Sequence, residues 1–108
     1  MGSMQQEPVV ILVTAGREEA AAIARTLVSE GCAACVNIID VTSFYRWKGE
    51  LCEDPEQLLI IKTTRDQSDA TISRIRELHS YDLPEMILLP VVGGYLPYLQ
   101  WLCDEVRR

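Results

Sequence analysis

An α+β fold follows from three observations on these 108 residues: two helix-period segments, four strand-like segments, and an order that alternates them as β-α-β-β-α-β. Two βαβ-type halves joined by a hairpin make a ferredoxin-like sandwich, with two helices on one face of an antiparallel sheet. A long hairpin and an extra C-terminal helix complete the expectation. The length suits one domain. Met1-Gly2-Ser3 reads as a cloning scar ahead of a natural start at Met4, leaving 4–108 as that domain.

Pro8 to Thr14 is a continuous apolar run of strand length. Gly16 opens a helix with Glu18 and Glu19 in its first turn, where carboxylates meet the positive end of the backbone dipole. Ala20, Ile23, Ala24, Leu27 and Val28 form its apolar stripe, and Gly31 ends it. Ala33 to Trp47 alternates as a strand, with a slip at Asp40 that predicts a bulge. Lys48-Gly49 is a tight turn, and Glu50 to Lys62 returns, with Pro55 confined to an edge or bulge. Asp66 or Ser68 caps a second helix carrying Ile72, Ile75 and Leu78, which Pro84 terminates. Glu85 to Val92 is a last long strand. Gly93-Gly94 breaks it, and Pro97 starts a helix faced by Leu99, Leu102 and Val106.

The hairpin bears most directly on function. Fifteen residues of strand span ~50 Å, whereas a globule of this length is only ~35 Å across. The ribbon either bends over its own core or projects, and a projecting ribbon tipped by Phe44, Tyr45 and Trp47 needs cover. Head-to-tail docking on sister copies supplies it, and the smallest ring beyond a two-fold dimer is a homotrimer.

Sixteen acidic residues against ten basic ones give a net charge of −6, which disfavours phosphate backbones and anionic lipid. No apolar run approaches the ~20 residues of a membrane-spanning helix. No secretory signal is recognised, so the expected compartment is the cytoplasm, with the four cysteines as thiols. Cys32 and Cys35 match C-x-x-C but follow a helix end rather than open one, which argues for small packed thiols over a redox or zinc pair.

His79 is the only histidine, and Tyr81, Asp82 and Glu85 follow it closely. At a helix C-terminus a histidine serves as a cap. An imidazole beside carboxylates also suits Cu(II) or Zn(II), and a thiolate such as Cys35 brings Cu(I) into range. Asp54 with Glu53 and Glu56 reads as a solvated acidic edge, and Trp47 and Trp101 as packing anchors. No hydrolase, phosphate-loop or dinucleotide motif is present, so the chain is not expected to be an enzyme.

Three stretches carry a wider likeness. Ala34-Cys35-Val36-Asn37-Ile38-Ile39, Thr42 to Glu50 and His79-Ser80-Tyr81-Asp82-Leu83-Pro84-Glu85 resemble the CutA family, as does Tyr98-Leu99-Gln100-Trp101-Leu102. The resemblance implies a ferredoxin-like homotrimer similar in architecture to PII-type signalling proteins, linked to divalent-cation tolerance and copper binding. It implies His79 as a copper ligand, Cys35, Asp82 and Glu85 as its neighbours in a metal site, and Tyr81, Trp47 and Tyr45 as cleft residues. The chain departs from the family's habit in reading one residue shorter at Asp40, in Ser80 and Asp82, and in having Leu78 where some members place a second histidine. The competing reading is a PII-like module that binds a small anionic metabolite and a client protein.

Overall fold

The computed structural model describes residues 7–107. The segment Met1-Gly2-Ser3, read above as a cloning scar, lies outside them. The chain runs β1 (Pro8–Ala15), α1 (Arg17–Ser29), β2 (Cys35–Trp47), β3 (Glu50–Thr64), α2 (Arg65–Leu78), β4 (Met86–Pro90) and α3 (Leu96–Glu105). The four strands form one antiparallel sheet in the order β2-β3-β1-β4. This is the ferredoxin-like α+β sandwich, with the long hairpin and the extra C-terminal helix.

Alternation along the strands divides the sheet's side chains between two faces. Ile11, Val13 and Ala15 of β1 and Leu59 and Ile61 of β3 meet Ala20, Ile23 and Leu27 of α1 and Ile75 of α2 in one buried core. Each fully buried Leu or Ile there contributes ~1.5–3 kcal/mol relative to exposure. The second face carries Leu12, Leu58, Ile60, Ile87, Leu89 and Ile39, aligned across the strands by the register. Ile39, Ile87 and Leu89 remain exposed. α3 packs against β3 and β1.

The hairpin projects. The molecule's principal extents are 52 × 25 × 21 Å, and β3 pairs with β1 only from Gln57 onward, leaving Glu50–Glu56 paired with β2 alone. Pro55 falls in that two-stranded part, where the side toward β1 has no ladder to interrupt. Lys48 and Gly49 close the turn with φ of 50° and 82°, the two positive values a two-residue hairpin loop requires.

Four expectations are corrected. The bulge at Asp40 does not exist, because the β2–β3 register runs without a break from Cys35↔Lys62 to Trp47↔Glu50. The apolar pattern slips there because the strand leaves the helical layer: Val36 and Ile38 pack on the core, whereas beyond Asp40 both faces of the ribbon carry apolar groups. Asp40 instead accepts bonds from Arg17 and Gln57. The cap of α2 is Thr64, whose hydroxyl donates to Asp66; Asp66 and Ser68 lie inside the helix. β2 begins at Cys35 rather than Ala33, and β4 spans five residues rather than the eight from Glu85 to Val92. Pro90 opposes Val9 at the start of β1, and beyond it the Val91 N–H makes one last bond to the Pro8 carbonyl, which Pro8, lacking an N–H, cannot return.

Candidate functional site

α2 ends where His79 turns to an extended conformation, its N–H still bonded to the Ile75 carbonyl. The imidazole is fully buried. Its Nε2 lies 2.8 Å from the Thr14 carbonyl oxygen, and its Nδ1 accepts the Tyr81 N–H at 3.2 Å. A carbonyl can only accept and an N–H can only donate, so the hydrogen-bond network assigns the neutral ring with its proton on Nε2. Glu19 approaches Nδ1 at 3.8 Å while accepting from both the N–H and the hydroxyl of Ser80. Both ring nitrogens are thus engaged with backbone, and coordinating a cation would require the ring to release one of them.

Tyr81 packs edge-on against the imidazole, 4.6 Å between centroids, and its hydroxyl donates to Glu56 Oε2 at 2.7 Å. Desolvation, reinforced by the Glu56 carboxylate, pushes the Tyr81 phenol well above its usual range. Glu56 is 7% exposed, so it does not belong to a solvated acidic edge. The sequence holds the clue: Glu56 shares the two-residue period of Leu58 and Ile60. On the ribbon, the Tyr45 hydroxyl donates to Asp54, the carboxylate opposite the neighbouring Ser43. That bond holds the Tyr45 phenol up to about 12.

These elements border a cleft of about 710 Å³. Tyr45 and Trp47 line it from the hairpin, Glu56 from β3, and Tyr81, Asp82 and Glu85 from the segment between α2 and β4. The structure therefore brings together five of the residues expected from sequence and adds Glu56 to them. Thr14, at the end of β1, forms part of the same wall. His79 is not among the lining residues; it fixes the segment that supplies Tyr81, Asp82 and Glu85.

Cys35 lies apart. It opposes Lys62 and so sits level with Val10, four residues along β1 from Thr14, about 13 Å at strand rise. Its thiol faces the Lys62 ammonium at 3.7 Å. Cys32 packs instead against the helical core, where burial pushes its thiol pKa up. The two members of the C-x-x-C thus lie on different sides of the sheet. Among the described residues no three His, Cys, Asp or Glu side chains gather as a metal site would need.

Residues 9–105 match the family model of the CutA1 divalent ion tolerance protein. The divalent-cation tolerance protein CutA of Thermus thermophilus is 45% identical over 100 residues, spanning 92% of this chain and 97% of its own. The chloroplastic CutA 1 of Oryza sativa is 44% identical over 93% of this chain but only 58% of its own length, so the chain spans little more than half of that plant relative. A solved structure of the PII-like protein CutA from Nostoc sp. PCC 7120 superposes with a TM-score of 0.89 at 35% identity, covering 92% of this chain and 97% of that one. With its sandwich, its projecting hairpin and a match along nearly all of its length, the chain belongs to the CutA1 divalent ion tolerance family.

Proposed function

We propose that this chain acts in the cytoplasm as a non-enzymatic homotrimer in divalent-cation tolerance, binding Cu(II), Cu(I) or another divalent cation weakly at clefts between subunits. The observation that carries the reading is the second face of the sheet. Ile39, Ile87 and Leu89 are exposed on it, beside a ribbon whose Phe44 is 65% exposed. An apolar sheet face and an unpaired ribbon of this kind are what an interface between copies covers. The relatives' names describe tolerance of divalent cations and name no reaction. No helix among the described residues is long and apolar enough to cross a membrane.

In this reading Asp82 and Glu85 of one protomer hold the cation together with groups from the next. His79 joins them only by giving up its bond to the Tyr81 N–H, and Cys35 contributes from the face that the neighbour covers. Glu56, Asp82 and Glu85 against Arg46 alone make the cleft net negative, which disfavours a small anionic metabolite.

Sedimentation equilibrium combined with Cu(II) titration tests both parts. The reading expects a particle of three times 12.2 kDa and copper binding that weakens in Asp82→Asn, Glu85→Gln and His79→Gln. A stable 12.2 kDa particle at low micromolar concentration removes the trimer, and equal copper binding by all variants removes these residues from the site.

A further inference from the structure

The cleft is poorly shaped for a bare metal ion alone. A coordinated divalent cation needs several oxygens at ~2–2.6 Å, yet among the described residues no three acidic, histidine or cysteine side chains converge. Its volume of about 710 Å³ is instead that of a small-molecule site. The walls have a particular chemistry. Tyr45 and Trp47, which share a ribbon face with Glu56, line it together with Phe44 of the opposite phase. Asp82 and Glu85 line it from the facing segment, and Arg46 is the only cationic residue in the lining.

Carboxylates that do not converge on one point, in a lining they share with aromatic residues, suit a cation that has a body. An ammonium group takes hydrogen bonds or charge from the carboxylates, while its methylene or methyl groups lie against the rings, whose electron-rich faces attract it. Within the chain itself, the Lys48 ammonium already lies 5.9 Å from the centroid of the Trp47 ring. Glu56 is held ready to receive such a cation, since it is almost entirely buried and the Tyr81 hydroxyl fixes Oε2 in place without neutralising the charge. We propose that this cleft is a binding site for a small organic ammonium ion, a free amine or quaternary ammonium compound of metabolite size.

The proposal does not depend on the copper reading and is separable from it. Choline chloride and putrescine dihydrochloride serve as probes, titrated into the full chain in its solution assembly and followed by calorimetry and by tryptophan fluorescence. Sodium chloride at matched ionic strength, citrate and Cu(II) form the comparison arms. At least one amine is expected to bind saturably, with the fluorescence change assigned to Trp47 by its persistence in Trp101→Phe. Asp82→Asn and Glu85→Gln, both at exposed positions, are expected to weaken that binding about tenfold each, the loss of one charge-assisted contact, without altering particle mass or thermal stability. Responses to both amines no larger than to sodium chloride would overturn the site. So would amine binding unchanged in the Asp82→Asn/Glu85→Gln double variant, or citrate binding more tightly than either amine. Amine binding in a protein indifferent to Cu(II) would retain this site while removing the metal reading.

Discussion

The Tyr81 hydroxyl donates to Glu56 Oε2 at 2.7 Å, bonding the segment after α2 to the strand that becomes the outer ribbon. The same Tyr81 gives its N–H to His79, which is anchored in turn on the Thr14 carbonyl. One wall of the cleft is therefore held to β1, β3 and α2 by consecutive hydrogen bonds rather than by loose loop packing.

Tyr81→Phe removes the donor and leaves a buried carboxylate with one partner fewer. The expected loss is about 1–3 kcal/mol in denaturant unfolding, the cost of a buried acceptor left unsatisfied. Glu56→Gln keeps an acceptor for the hydroxyl and is expected to cost less than Tyr81→Phe. A Tyr81→Phe midpoint equal to that of the parent protein would show that the bond adds nothing to stability.

Much of this arrangement is legible in the sequence, and the misses share a cause. The α2 stripe, the α1 stripe except for Val28, and the Lys48-Gly49 turn depend on local period and backbone chemistry and stand where the pattern puts them. Val28, by contrast, is exposed, and β4 ends at Pro90, ahead of the glycines expected to break it. The slip at Asp40 misleads because alternation reports which face is covered, and the cover changes where β2 passes the helices. Charge groups Glu56 with Glu53 and Asp54, although its phase with Leu58 and Ile60 sets it apart. Only their chemistry joins Cys35 to His79. Nothing in their sequence spacing encodes that strand pairing places one level with Val10 and the other beside Thr14.

Alkaline titration should separate the tyrosines. Tyr45 and Tyr81 are both raised, Tyr45 by its bond to Asp54 and Tyr81 by desolvation and Glu56. In the unfolded chain both ionise near pH ~10. Above that pH the unfolded state sheds its phenolic protons before the folded state does. The stability these two groups contribute is therefore complete below pH ~10 and is lost as pH rises through their folded values. Tyrosinate absorbance in the folded protein should show a Tyr45 midpoint of about 12, moving down in Asp54→Asn. A Tyr45 midpoint unchanged by that substitution would sever its link to Asp54.

Gly31 carries φ of +78°, and a Cβ built there would meet the Arg107 side chain at 2.5 Å. Gly31→Ala is expected to destabilise by ~1–2 kcal/mol from backbone strain alone, with the contact adding to it. Arg107→Ala in the same chain should recover only the part of the contact made by Cγ and Cδ, since the Cβ at 2.9 Å, the bond from the residue 107 N–H to the Gly31 carbonyl and the positive φ remain. Thermal melts of the single and double variants separate the two costs. Full recovery in the double variant would mean that the backbone is not strained by alanine.

The proposed seam between copies is open to a two-sided test. Leu89 is exposed on the second face, whereas Val28 is exposed on α1 in the opposite layer. A charge placed inside an apolar interface loses solvation that nothing there replaces. Leu89→Asp should therefore lower the particle mass toward 12.2 kDa in light scattering, with circular dichroism showing the sandwich intact. Val28→Asp should leave the mass unchanged, because its side chain faces solvent on the helical side in either state. The opposite outcome, with Val28→Asp dissociating and Leu89→Asp assembling normally, would move the interface onto the helices. The ribbon's docking surface would then have to be sought on α1 rather than on the bare sheet.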